Sequence, residues 1–88
     1  MIPESIEDQI DLAYRNIAET LEHFGASLGD VVDQHVFVTD LDAATAATEA
    51  RKAAFGGKDL PASTMVEVTK LALAEAKVEI SVTARTIA

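Results

Sequence analysis

Two stretches near the end of the chain decide its fold: Leu60-Pro61-Ala62-Ser63-Thr64-Met65-Val66-Glu67-Val68 and Lys77-Val78-Glu79-Ile80. In both, apolar and polar residues alternate, which is the period of a half-buried β-strand. Val66 and Val68 alternate with Glu67 and Thr69, and Val78, Ile80 and Val82 with Glu79, Ser81 and Thr83. Successive side chains of a strand point to opposite faces of the sheet. A sheet with valines on one side and carboxylates on the other therefore has one side committed to a core. Its other side meets water, a ligand or a partner.

Upstream, Ser5 with Asp8 three residues later forms a capping-box pattern that opens a helix. Ile6, Ile10, Tyr14, Ile17, Leu21 and Phe24 then recur at three- and four-residue steps, one apolar helix face, so Tyr14 and Phe24 read as core. Gly25 ends that helix as a residue free to take positive φ. The β-branched run Val31 to Thr39 reads as a strand, and Asp40 or Asp42 caps a second, Ala-rich helix reaching about Phe55. Its alanines let the backbone sit close on a sheet. Gly56-Gly57 ends the helix, Pro61 opens the next strand, and Leu71 to Ala76 leads to the last.

The expected fold is α+β, in the order α-β-α-β-β, with two helices packed on one face of a mainly antiparallel sheet. In all three strands the even-numbered set is apolar: Val32, Val36 and Val38, then Val66 and Val68, then Val78, Ile80 and Val82. These side chains are expected under the helices. The odd-numbered set, from Asp33, His35 and Phe37 through Ser63, Met65 and Glu67 to Glu79, Ser81, Thr83 and Arg85, is mixed. Phe37 and Met65 beside carboxylates and an arginine suit an oligomer interface that also holds a polar pocket. A plain solvated face is the other reading, and the commoner one for antiparallel sheets.

With 88 residues the chain makes one domain, spanning 1–88, small enough that its own core is marginal. At 49% hydrophobic residues it is not disordered, and no apolar run approaches membrane-spanning length. Fifteen acidic against seven basic residues give a net charge of −8, which repels phosphate backbones and anionic lipid. Neither a nucleic acid nor a membrane is an expected partner. Met1-Ile-Pro-Glu-Ser5 lacks the basic and apolar regions of a signal peptide, and there is no cysteine, which together fit a cytoplasmic protein.

The Pro61-x-Ser63-Thr64 and Val78-Glu79-Ile80 segments resemble the RidA family, also called YjgF or reactive intermediate deaminases. There a Pro-x-Arg-Ser/Thr motif enters one strand and Val-Glu-Ile lies in the last. Gln9 and Asn16, Gly25 to Val32, Val36 to Asp42, Phe55 and Pro61 are also similar to that family in type and spacing. The resemblance implies a RidA/chorismate-mutase-like fold, a homotrimer with ligand pockets at subunit interfaces, and hydrolysis of imine or enamine intermediates without metal or cofactor. The older endoribonuclease label of the superfamily is disfavoured by the charge.

Three departures qualify this. Ser63 stands where the family's carboxylate-binding, catalytic arginine belongs, and a hydroxyl cannot replace a bidentate guanidinium. Thr48 occupies a position that is often asparagine. The family's N-terminal strands have no counterpart, through either a shortened member or a start at an internal methionine. Glu79 matches the glutamate that positions the attacking water.

Glu79 is thus the catalytic candidate, its alternative being a structural or solvated strand glutamate. Ser63 and Thr64 are ligand-binding candidates, without the neighbouring base that a nucleophilic serine needs. Arg85 either replaces the missing positive charge or pairs with Glu67 or Glu79 across strands. His23 and His35 lie in different elements without ligand-like spacing, so no metal site is expected. The expected function is a homo-oligomer, by resemblance a trimer, binding a small-molecule metabolite, with the loss of the arginine arguing against strong deaminase activity. The alternative is a non-catalytic ligand-sensing or interaction module.

Overall fold

The computed structural model describes residues 2–56 and 60–86. Helix α1 spans Ile6–Glu22 and a 3-10 turn Leu28–Asp30; strand β1 spans Val31–Val38. Helices α2, Leu41–Ala46, and α3, Thr48–Ala54, lead to β2, Ala62–Glu67, and β3, Val78–Ala84. The expected α+β class and element order are observed.

The first helix is set by its caps. The Ser5 hydroxyl accepts a hydrogen bond from the Asp8 N–H at 3.1 Å. At the far end Gly25 takes φ +73°, the Gly25 N–H bonds the Glu22 carbonyl and the Ala26 N–H bonds the Leu21 carbonyl, a paired closure that turns the chain out of the helix. Ile6, Ile10 and Tyr14 are buried on its sheet-facing side. Phe24, expected in the core, is 71% exposed. It lies in the closing turn, where the helical period that its spacing relied on has already ended.

The expected single second helix is two. Asp40 is its cap, its carboxylate accepting from the Ala43 N–H at 3.1 Å. The helix breaks at Ala47. There the hydroxyls of Thr45 and Thr48 donate to the carbonyls of Leu41 and Thr45, at 2.9 and 2.6 Å, taking up acceptors of the helical ladder. Ala44 and Ala47 are buried against the sheet. Of the expected Gly56-Gly57 stop, Gly56 takes φ +68°, whereas Gly57 lies outside the described residues.

The sheet has the order β2-β1-β3. β1 and β3 pair antiparallel, but β1 and β2 pair parallel, so the sheet is mixed rather than mainly antiparallel. The helical connection between β1 and β2 is the crossover that parallel pairing needs. Val36 and Val38 are fully buried, and the core joins them to Ile6, Ile10, Tyr14, Ala44 and Val78.

Two strands depart from the expected parity. A register shift between Val31 and Asp33 puts Val31 inside and leaves Val32 48% exposed. In β2 the register pairs Val36 with Met65 and Phe37 with Val66. Met65 therefore packs against the core and Val66 is exposed, the reverse of the even-numbered pattern. Glu67 supplies the reason. On the helix side its carboxylate accepts from the Leu41 N–H at 2.9 Å, satisfying a backbone donor at the start of α2.

Candidate functional site

Ser63, the second residue of β2, lies opposite Gln34 of β1, and this pairing places both on the helix-covered face of the sheet. There they border a cavity of about 80 Å³ between α3 and the β1–β2 edge. Thr48, Arg51, Lys52 and Phe55 supply the α3 side, and Leu60 and Pro61 the approach to β2. Thr48, Arg51 and Phe55 stand three and four residues apart, so one side of the helix and its end face the cavity.

The floor is rigid. Gln34 is only 4% exposed, and its side-chain carbonyl accepts from the Tyr14 hydroxyl at 2.6 Å. The Tyr14 ring meets Phe55 edge-to-face with centroids 5.3 Å apart, tying α1 to the end of α3. Burial pushes the Tyr14 phenol above its ordinary value; the nearby Arg51 charge pulls the other way. The Nε of Arg51 is buried and has no hydrogen-bond partner among the described residues. A buried donor left so costs about 1–3 kcal/mol, more when charged. Arg51 also has no ion pair among the described residues, whereas the neighbouring Lys52 makes one loose, exposed contact to Glu49 at 4.0 Å.

The four residues singled out by sequence are not brought together. Thr64 pairs with His35 and Glu79 with Phe37, which puts both on the open face, opposite Ser63. There they belong to different rows of side chains, with β1 between their strands. The expectation that Ser63, Met65 and Glu67 share the open face with Glu79 is thereby corrected. Val66, Phe37 and Glu79 form one row of that face, and Thr64, His35 and Ser81 another. His35 contacts Asp33 at 3.1 Å, and among the described residues no three acidic or histidine side chains are grouped to hold a metal ion.

Glu79 also borders a separate groove of about 300 Å³ with Leu12, Asn16 and Leu73. The buried Gln9 braces the loop on that side, donating to the carbonyls of Pro3 and Glu75 at 2.7 and 3.0 Å and accepting from the Lys77 N–H at 2.7 Å. Arg85 lies past β3, its side chain exposed and its N–H bonded to the Asp30 carbonyl at 2.9 Å. Neither pairing considered for it is observed: Glu67 is engaged by α2, and no ion pair joins Arg85 to Glu79.

Arg51 is the residue that sequence reading missed. The signal was its place in the helix, since it recurs with Thr48 and Phe55 on one side of an otherwise alanine-lined segment. Chemically the cavity offers a guanidinium, an ammonium, a serine hydroxyl and an amide. Among the described residues, no carboxylate or imidazole lines it.

Comparison with known proteins places this geometry. The endoribonuclease L-PSP family model matches residues 1–86. The mitochondrial protein mmf2 of Schizosaccharomyces pombe is 35% identical over 81 residues, covering 90% of this chain and 64% of that protein's length. Rv2704 of Mycobacterium tuberculosis, of the YjgF/YER057c/UK114 family, superposes with a TM-score of 0.89 at 37% identity, over 96% of this chain and 70% of that one. Escherichia coli TdcF with bound serine gives a TM-score of 0.88 at 29% identity, over 98% and 69%. This chain thus spans less than two thirds of the mmf2 length. No helix among the described residues is long and apolar enough to cross a membrane. With the fold, the strand motifs and the family match in agreement, the chain belongs to the RidA/YjgF family, described also as endoribonuclease L-PSP.

Proposed function

We propose that this chain binds a small metabolite in the cavity bordered by Ser63, as part of a homo-oligomer, by family resemblance a trimer, in which a second copy completes the site. One observation carries the reading. Ser63 and Glu79, the positions matching the family's arginine and glutamate, lie on opposite faces of one protomer's sheet. A pocket that uses both must therefore draw them from two copies. Support comes from the half-buried Phe37 and exposed Val66 in the row beside Glu79, an apolar strip suited to contact with another chain. That TdcF was crystallised with serine supports a ligand of amino-acid size.

Any turnover would be hydrolysis of an imine or enamine without a cofactor, Glu79 of the second copy holding the water. Ser63 makes that reaction weak, because a neutral hydroxyl binds a substrate carboxylate less firmly than a guanidinium does. A second reading, a ligand-sensing module without catalysis, is favoured by the lack of any carboxylate or imidazole among the described residues of the cavity wall. Ammonia release from freshly generated 2-iminopropionate separates the two. We expect little release above the spontaneous rate, and none that depends on Glu79. Release at the level of an arginine-bearing family deaminase, abolished by Glu79→Ala, would show full catalysis and remove the sensing reading.

A further inference from the structure

We infer that Arg51 is the anion anchor of this protein, supplying from α3 the positive charge that position 63 lacks, so that a carboxylate ligand is held from the helix rather than from the strand. This rests on the reading of the Ser63 cavity as the metabolite site.

Three observations converge. Arg51 and Ser63 line the same cavity from opposite walls, one on α3 and one at the start of β2. The Arg51 Nε is buried without a hydrogen-bond partner among the described residues. A guanidinium carries its donors in a planar fork, and Nε with one terminal nitrogen matches the two oxygens of a carboxylate. Third, the described residues of the wall include no acidic side chain, although acidic residues outnumber basic ones by fifteen to seven in the whole chain. On a protein of net charge −8, a cavity walled by an adjacent arginine and lysine is where an anion is retained.

Donor chemistry narrows the class. Thr48 adds direction, because its hydroxyl hydrogen is committed to the Thr45 carbonyl and only its oxygen lone pairs are free to face a ligand. A carboxylate on Arg51 and Ser63, with an N–H or O–H group toward Thr48, satisfies each of these groups.

The test is a titration of the full-length, isotopically labelled chain with pyruvate and with its neutral isostere pyruvamide at matched ionic strength, read by backbone amide shifts. Saturable shifts at Thr48, Arg51 and Ser63 are expected for pyruvate, with pyruvamide bound at least about tenfold more weakly, a factor typical of one charge-assisted contact. Arg51→Gln should abolish that preference by weakening pyruvate alone. Arg51→Lys, which keeps charge but loses the fork, should fall between. Its retained folding controls for any instability of the glutamine variant.

Wild-type affinity for pyruvate in folded Arg51→Gln would overturn the anchor while leaving the cavity as the binding site. So would equal binding of both probes at the cavity. Displacement of pyruvate by an equal concentration of inorganic phosphate would overturn the carboxylate assignment. Shifts confined to the open sheet face, or no binding of either probe, would overturn the metabolite site and the anchor together.

Discussion

The two faces of this small sheet are opposites in chemistry although they share every strand. The helix-covered face ends in a cavity of donors, with Arg51, Lys52, Ser63 and the Gln34 amide around it. The open face carries Val66, Phe37 and Glu79 in one row and Thr64, His35 and Ser81 in the next, an apolar strip beside acceptors. On the proposed reading, one face holds an anion and the other a neighbour and a water. The side chains of the two faces point in opposite directions, so Ser63 and Glu79 of one protomer do not meet.

The most severe way to break this contrast is to charge the open face. Phe37→Asp is expected to dissociate the assembly and unfold the protomer with it. Burying a large apolar side chain is worth about 1.5–3 kcal/mol, a large part of what an 88-residue core supplies. Sedimentation and circular dichroism at micromolar concentration report both events, and the wild-type melting temperature should rise with protein concentration. A well-folded wild-type monomer would end the two-copy reading.

A smaller effect is expected from moving charge across the helix-covered face. Ser63→Arg alone should not restore deamination, because a second guanidinium would enter a cavity of about 80 Å³ already bordered by Arg51, and Glu79 remains on the other face. Like charges placed so close oppose each other. Ammonia release from 2-iminopropionate should stay near the wild-type rate; a large gain would show that the site lacks only that side chain.

The smallest effect sharpens the geometry of the cavity floor. Tyr14 is the only tyrosine, so phenolate absorbance reports it alone. Its folded-state pKa lies above the ordinary 10.0 because burial disfavours the phenolate. The stability this contributes is therefore complete below about pH 10 and is lost as pH rises through the folded value. Arg51→Gln removes a charge that favours the phenolate, so Tyr14 should ionise at still higher pH in that variant. An unshifted titration would place Arg51 away from the ring.

Ser5, Asp40 and Gly25 show what was legible in the chain itself. Each acts within three or four residues of its own position, capping a helix or closing one, and each does so as its type dictates. The β3 faces were legible for a similar reason, since apolar and polar residues alternate without a break from Val78 to Thr83. Pro61, Thr64 and Val78-Glu79-Ile80 likewise carried the family resemblance in their spacing.

β2 was not legible in this way. Met65 and Val66 are adjacent and both apolar, so either parity gives a strand with one apolar face. The choice fell to a distant backbone donor, the Leu41 N–H, which holds Glu67 on the helix side and carries Ser63 with it. The bulge at Val32 likewise depends on pairing with β3 rather than on local pattern. Arg51 belongs with them, an ordinary helix residue until α3 packs over the start of β2 and encloses its Nε. The sequence by itself determined the first helix, the three strands, their order and the family, because caps, turns and alternation act over a few residues. Which face β2 turns to the helices, and that Arg51 meets Ser63 there, only the tertiary structure decided, because both follow from contacts between residues far apart in the chain.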